Sequence, residues 1–115
     1  MNTIKLFAPG LLILLAACGD APTPTTLAVL SEVQQDFSGR HVRVSGTLRT
    51  FAAPRHYWIE NDLRNRVAIN TDQDLAPLVG KVIEVEGVFW YDRTSGRRIN
   101  ATALRVTGAS PAPPT

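Results

Sequence analysis

Residues 39–48 read Gly-Arg-His-Val-Arg-Val-Ser-Gly-Thr-Leu, and residues 80–89 read Gly-Lys-Val-Ile-Glu-Val-Glu-Gly-Val-Phe. In both segments a glycine is followed, at identical spacing, by two alternating β-branched residues, a second glycine and a large apolar residue. Alternation with period two predicts a strand with one buried face. A glycine inside a strand usually marks a bulge or a sharp bend. Two long strands, each bent at a glycine, therefore favour a small closed β-barrel.

The flanking sequence completes the predicted order of elements. Apolar residues recur with helical spacing from Leu27 to Phe37, and Ser38-Gly39 ends that pattern. Period-two alternation and turn residues predict five strands, at residues 41–51, 56–61, 66–71, 81–91 and 98–106. A short helical turn is expected at residues 72–78, closed near Pro77. The prediction is a mainly β fold, with a short leading helix and a short helix between strands three and four.

The same alternation predicts the core and its register. The residues expected to be buried are Val42, Val44, Leu48, Tyr57, Ile59, Val67, Ile69, Ile83, Val85 and Phe89. Arg43 and Glu84 fall on the outward faces of strands one and four.

This order of elements resembles that of small bacterial OB-fold domains, whose first strand reads Gly-x-x-Val-x-Val-x-Gly and whose fourth strand repeats the motif. The resemblance covers residues 38–107. It implies a five-stranded Greek-key OB-fold-like barrel. In such a barrel strands one and four are antiparallel neighbours, so the resemblance also implies that Arg43 and Glu84 pair across them. In such domains the ligand lies across strands two and three, between the loops that join strands one to two and four to five.

The N-terminus has the pattern of a bacterial lipoprotein signal. Lys5 and an apolar run precede Leu15-Ala16-Ala17-Cys18, a string that resembles the lipobox. The resemblance implies a signal peptide at residues 1–17 and a lipid on Cys18. The apolar run is shorter than the roughly 20 residues of a transmembrane helix. An ordinary signal peptide followed by a free thiol is the weaker interpretation, because the single Cys occupies the one position that the motif requires. An uncleaved membrane anchor is weaker still.

These assignments divide the chain and predict its location. After the lipidated Cys18 we expect a flexible tether to residue 26, the OB-fold-like domain at residues 27–107, and a disordered tail at residues 108–115. The domain is expected in the periplasm, anchored to the cell envelope by lipid. In the lipoprotein family, an Asp directly after the lipidated Cys retains the protein in the inner membrane. Here Gly19 holds that position, so the resemblance slightly favours the outer membrane.

Composition excludes several classes of function. A length of 115 residues allows one domain, and a net charge of +2 disfavours a protein that holds long nucleic acids. One Cys permits no intrachain disulfide, and the two histidines are isolated in sequence, so we expect neither a metal nor a cofactor. Motifs of nucleophilic, phosphate-binding and zinc enzymes are absent from the sequence, and we expect no enzymatic activity.

The candidate binding surface follows from the OB resemblance. Trp58 alternates away from Tyr57 and Ile59, so it should lie outside the barrel. Beside it we expect the further ligand- or partner-binding residues Arg66, Arg93, Arg97, Arg55 and Tyr91. Arginines interleaved with aromatic residues are typical of single-strand stacking platforms and of protein hot spots. For Trp58, packing under the helix or a loop is an equal alternative. For the arginines as a set, a solvated surface is the favoured interpretation.

The sequence thus favours a membrane-anchored periplasmic OB-fold binding module whose partner is a protein or an envelope glycan. One alternative is a structural envelope lipoprotein without a defined ligand site. The alternative ranked last is an oligonucleotide-binding or nuclease-like OB domain, for which Glu60, Asp62, Arg64 and Arg66 would have to form a carboxylate site with basic partners. The sequence makes no prediction of oligomeric state.

Overall fold

A computed structural model describes residues 21–52 and 55–108 of the chain. The fold is mainly β, as predicted. The strands are β1 Thr23–Pro24, β2 His41–Ala52, β3 Arg55–Glu60, β4 Arg66–Asn70, β5 Val82–Asp92 and β6 Gly96–Gly108. The helices are α1 Leu27–Glu32, α2 Gln34–Phe37 and a 3₁₀ helix at Ala76–Leu78.

The six strands form one sheet, and five of them, β2 to β6, close into a ring of hydrogen-bonded strands, with β1 added beside β2. The order is β1-β2-β3-β4-β6-β5, and β5 pairs back onto β2. The β4–β6 and β1–β2 pairs are parallel, and the other pairs are antiparallel. The prediction that the two glycine-containing strands, β2 and β5, are antiparallel neighbours is confirmed.

Close approach, rather than an unusual backbone angle, explains the two mid-strand glycines. β2 changes partner beside Gly46, pairing with β5 up to Thr47 and with β3 from Thr47 onward. A Cβ atom on Gly46 would lie 2.8 Å from Leu27 Cδ1. On β5, the pairing with β6 shifts between Glu86 and Gly87, and a Cβ atom on Gly87 would overlap the carbonyl of Asn100. Each glycine therefore lies where a strand changes partner or register and a neighbour comes close, a side chain at Gly46 and backbone at Gly87.

The core lies inside this ring and confirms the predicted strand register. All the predicted core residues are buried except Tyr57, which is partly exposed. The reason is that β4 pairs with β3 only from Trp58 onward, so Tyr57 lies beyond the end of that ladder. The core also includes Leu27, Leu30, Leu75 and Ile99.

The predicted leading helix is two short helices. The side chain of Thr26 caps α1 by accepting a hydrogen bond from the Val29 N–H at 3.2 Å. The helix breaks at Val33, whose φ and ψ of −123° and 42° are not helical. Of the residues in the predicted helical pattern, Leu27 and Leu30 on α1 are buried in the core.

Several predicted boundaries differ from the structure. The helical turn expected at residues 72–78 is shorter, with its 3₁₀ segment limited to Ala76–Leu78. The final strand begins at Gly96 rather than Arg98 and continues to Gly108. The β5–β6 hairpin therefore has a tight turn at residues 93–95 in place of the predicted longer loop.

Part of the predicted tether is paired with the sheet. Thr23–Pro24 forms the parallel strand β1 beside Val42 and Arg43, and Thr25 N–H donates to the Arg43 carbonyl at 3.0 Å. The prediction missed this strand because two residues, one of them proline, carry no alternation. The predicted lipobox, the signal peptide and the tail after Gly108 lie outside the described residues. Within residues 21–52 and 55–108, no helix has the length and apolar character needed to cross a membrane.

The predicted Arg43–Glu84 pair is wrong. Arg43 lies opposite Glu86 in the β2–β5 ladder, and its Nε atom is 3.2 Å from Glu86 Oε2. Glu84 instead bonds to Arg105 on β6, at 2.8 Å. Arg43 and Glu84 hold the same position in the two sequence repeats, and the prediction paired them for that reason. Antiparallel strands run in opposite directions, so residues at the same position of the two repeats need not lie opposite each other.

Candidate functional site

A groove of about 460 Å³ crosses the outer face of β3 and β4 and is bounded by α2 and the β5–β6 hairpin. The residues that line it, called the groove below, are Gln34, His56, Trp58, Arg66, Ala68, Tyr91, Arg93, Ser95, Gly96 and Arg97. Five of the six residues predicted for ligand or partner binding come together here: Trp58, Arg66, Tyr91, Arg93 and Arg97. The prediction that they bind a ligand stays a prediction.

Arg55 is the exception and does not line the groove. It begins β3 and lies in a second depression of about 670 Å³, which also includes Tyr57, Asn70 and Asp72. A hydrogen bond with the Tyr57 side chain raises the pKa of Arg55. The loop position suggested proximity to Trp58, but Arg55 lies beyond the last β3 residue that pairs with β4, where the two strands separate.

One end of the groove, called the indole end, consists of His56, Trp58 and Arg66. The Trp58 indole Nε1–H donates to Glu60 Oε1 at 3.0 Å. The Arg66 guanidinium carbon lies 4.9 Å from the Trp58 ring centroid, within cation–π range, and Arg66 Nη2 is 3.5 Å from the same Glu60 oxygen. Trp58 and Arg66 are therefore held in place by a shared carboxylate.

Glu60 offsets part of the positive charge at this end of the groove, since one carboxylate pairs with two arginines. Its second oxygen, Oε2, lies 3.4 Å from Arg49 Nε, and its side chain is only 17% exposed. The hydrogen bond from Trp58 is the largest cause that lowers the pKa of Glu60, with Arg66 and Arg49 acting in the same direction. Sequence analysis had considered Glu60 as part of a nuclease-like site. The structure shows its carboxylate engaged by an indole and two guanidinium groups.

Aromatic rings continue from the indole end along the β2–β3 hairpin. His56 and Trp58 have ring centroids 5.3 Å apart, and Phe51 and His56 have centroids 5.9 Å apart. Phe51 is 56% exposed. Trp58 is thus one member of a row and is only partly exposed, rather than an isolated stacking platform.

The other end of the groove, called the hairpin end, consists of Arg93 and Arg97 with Gln34. Arg97 Nε donates to the Arg66 carbonyl at 3.1 Å, and Arg97 Nη1 donates to Gln34 Oε1 at 2.8 Å. Both acceptors are uncharged. Arg93 is exposed and has no hydrogen bond or ion pair with residues 21–52 or 55–108.

The carboxylate nearest to Arg93 in sequence, Asp92, forms its contacts within the β5–β6 turn and with Arg98, not with Arg93. Its Oδ1 accepts hydrogen bonds from the backbone N–H groups of Thr94 and Ser95, at 2.9 and 2.7 Å, and its Oδ2 pairs with Arg98 at 3.2 Å. The Ser95 hydrogen bond is the largest cause that lowers the pKa of Asp92. The turn that carries Arg93 is therefore shaped by a carboxylate that remains ionised.

Sequence reasoning missed Gln34 and Ala68 as groove residues. Gln34 begins α2 and reaches Arg97, although it lies 63 positions away in sequence. Ala68 pairs with Trp58 on one side and with Arg98 on the other. Its small side chain lies between two large ones, which leaves space for the groove at this position. The alternation pattern placed Ala68 outward but gave no sign that its small size mattered.

Among the residues that the structure describes, no three His, Cys, Asp or Glu side chains form a group that could hold a metal ion. No model of a known protein family matches this chain, and no curated protein is significantly similar to it in sequence.

Proposed function

We propose that this chain is a lipid-anchored periplasmic binding module with an OB fold, and that the groove takes its partner. Without β1, the ring runs β2-β3-β4-β6-β5 and closes back on β2, which is the strand order 1-2-3-5-4 of an OB barrel. The parallel β4–β6 pair and the 3₁₀ helix between β4 and β5 support the same topology.

The observation that carries the binding proposal is the convergence of Trp58, Arg66, Tyr91, Arg93 and Arg97 on one groove. These residues come from β3, β4 and the β5–β6 hairpin. A shallow site that combines partly buried aromatic groups with arginines has the composition of a protein or glycan contact surface. Because the lining contains three arginines and no carboxylate, we propose binding rather than catalysis.

The lipid anchor would hold the domain near a bilayer. Residues 19–22 separate Cys18 from β1, and a fully extended chain from Cys18 to Thr23 spans about 18 Å at most. Two or more acyl chains on the N-terminal Cys would give stable anchoring.

The anchor is tested by membrane fractionation of Cys18→Ala. We expect the wild-type protein to stay with membranes after a high-salt wash and the variant to be released with its fold unchanged by circular dichroism. A variant that stays with the washed membranes would contradict lipidation at Cys18.

The groove is tested by crosslinking the full chain to envelope extracts and comparing Trp58→Ala with Trp90→Ala. Trp90 is a matched control, because it is 39% exposed and does not line the groove. We expect a discrete crosslinked partner that Trp58→Ala loses and Trp90→Ala keeps. If the two variants behave alike, the groove is not the partner site, and a structural envelope lipoprotein becomes the better proposal.

A further inference from the structure

The two ends of the groove differ in how their positive charge is balanced. At the indole end, Glu60 pairs with Arg66 and with Arg49. At the hairpin end, the two hydrogen bonds of Arg97 go to the uncharged acceptors Arg66 O and Gln34 Oε1. One carboxylate thus offsets two arginines at the indole end, whereas Arg93 and Arg97 have no ion pair among the described residues, so the hairpin end carries the larger net positive charge.

Arg97 is both fixed in place and able to make further bonds. A guanidinium has five N–H donors, and the two contacts just described hold its Nε and Nη1 atoms. The remaining donors, on Nη1 and Nη2, are available to a ligand. Arg97 is partly buried, so a charge-assisted bond made there is less screened by solvent than one on the open surface.

Arg93 adds a second cation on the same lining. It lies in the turn at residues 93–95, which Asp92 stabilises through two backbone hydrogen bonds. Because Asp92 also pairs with Arg98, it does not balance Arg93. Neither Arg93 nor Arg97 forms an ion pair within residues 21–52 or 55–108, and guanidinium groups match the geometry of an oxyanion.

The floor of the groove indicates which kind of ligand carries that oxyanion. Trp58, Ala68 and Arg98 lie side by side in the paired strands β3, β4 and β6, so an added peptide strand finds no open sheet edge there. Recognition then rests on side chains: an indole, guanidinium groups, and the polar groups of Gln34 and Ser95. That set suits a saccharide ring, which offers hydroxyls to polar groups and an apolar face to an aromatic ring.

We propose that Arg93 and Arg97 form an oxyanion subsite, and that the ligand is an acidic saccharide whose ring lies toward the indole end. This inference rests on the proposed function, and it adds the chemical class of the ligand. The shared chemistry is an oxyanion on a sugar ring, supplied as a carboxylate, a sulfate or a phosphate.

The test is an NMR titration of the full chain, observing the Arg97 Nε–H and Trp58 Nε1–H resonances. The probes are glucuronic acid, glucose 6-sulfate, glucose 6-phosphate and neutral glucose. We expect the acidic sugars to shift both resonances and to bind at least about tenfold more tightly than glucose, as one charge-assisted contact would give. The ranking of the three acidic probes identifies the source of the oxyanion.

Arg93→Gln is the cleanest variant, because it removes a charge without breaking a contact among the described residues. We expect it to weaken the acidic sugars about tenfold and to leave glucose unchanged. Arg105→Gln is the matched control, since Arg105 is exposed, lies outside the groove and pairs with Glu84. It should leave all four affinities unchanged.

Three results would overturn the inference that the ligand is an acidic saccharide. None of them would contradict the proposal that the groove is a partner site, which the Trp58 crosslinking experiment tests separately. The three results are equal binding of glucose and the acidic sugars, no shift with any acidic sugar, and equal effects of Arg93→Gln and Arg105→Gln. Tighter binding of a short oligonucleotide than of every acidic sugar would overturn the saccharide assignment. Failure of the proposed function is separate, because it appears as a partner that Trp58→Ala and Trp90→Ala retain equally.

Discussion

The interior of the closed ring and the groove on its outside are built from the same strands but by different rules. Along β5, Val85 and Phe89 point inward and are fully buried, whereas Trp90 is 39% exposed. The interior is held by apolar contacts whose partners are set by strand register. The groove is held by polar and ionic contacts such as Trp58–Glu60, between side chains that lie on the outer face. Substitutions in the interior of the ring should therefore affect stability more than binding, and substitutions in the groove should affect binding more than stability.

Phe89→Ala should give the largest effect on stability. Phe89 is fully buried, so removing its ring loses apolar burial and leaves a cavity, at a cost of about 3–5 kcal/mol in unfolding free energy. Trp90→Ala, at the next position on the opposite face, should cost much less. Urea unfolding of both variants measures the difference. Equal losses of unfolding free energy in the two variants would contradict the assignment of Phe89 to the buried face of β5 and Trp90 to the exposed face.

Gly87→Ala should be the next most damaging change. An added Cβ would overlap the Asn100 carbonyl, and backbone cannot move aside as a flexible side chain can. We expect a loss of about 3 kcal/mol, at the upper end of typical overpacking costs. Gly108→Ala is the control, because nothing lies within 4 Å of its added Cβ, and it should change stability by less than about 0.5 kcal/mol. If thermal unfolding shows the two variants to be alike, Gly87 does not mark a close approach of β5 and β6.

A smaller effect is expected from the ionisation of Glu60. Its lowered pKa means that the charged carboxylate stabilises the folded state. That contribution is complete above the ordinary glutamate pKa of about 4.3 and is lost as pH falls through the lowered value. In a Trp90→Phe background, Trp58 fluorescence should report this step during an acid titration.

Glu60→Gln provides the control for that titration. The amide keeps an acceptor for the Trp58 indole but cannot ionise, so the fluorescence step should disappear. A midpoint at or above the ordinary glutamate value in the Trp90→Phe protein would show that Glu60 does not hold the indole end through its charge.

The interior was largely predictable from sequence because burial and strand geometry are local. Alternation at Val42, Val44 and Val85 indicates which face is inward, and the glycines at 46 and 87 mark a change of partner strand and a shift of register. The exception, Tyr57, depends on where a neighbouring strand stops, which alternation does not encode.

The groove was predictable only in part. The OB resemblance pointed to Trp58, Arg66 and the β5–β6 hairpin, since topology fixes which loops meet. The contact between Gln34 and Arg97 joins distant parts of the chain, and no local pattern predicts it. The wrong partner for Arg43 has a different cause: the two repeats match like positions, whereas residues of antiparallel strands pair in opposite order along the chain.

The central claim is that binding in the groove is separable from stability in the interior, and Trp58→Ala tests it most directly. The measurement pairs the unfolding free energy of this variant with its affinity for the crosslinked envelope partner. We predict that Trp58→Ala weakens the free energy of binding by about 2 kcal/mol, as for an aromatic hot-spot residue. Its free energy of unfolding should fall by much less than that of Phe89→Ala. A variant that unfolds as readily as Phe89→Ala, or that binds its partner with unchanged affinity, would contradict the account.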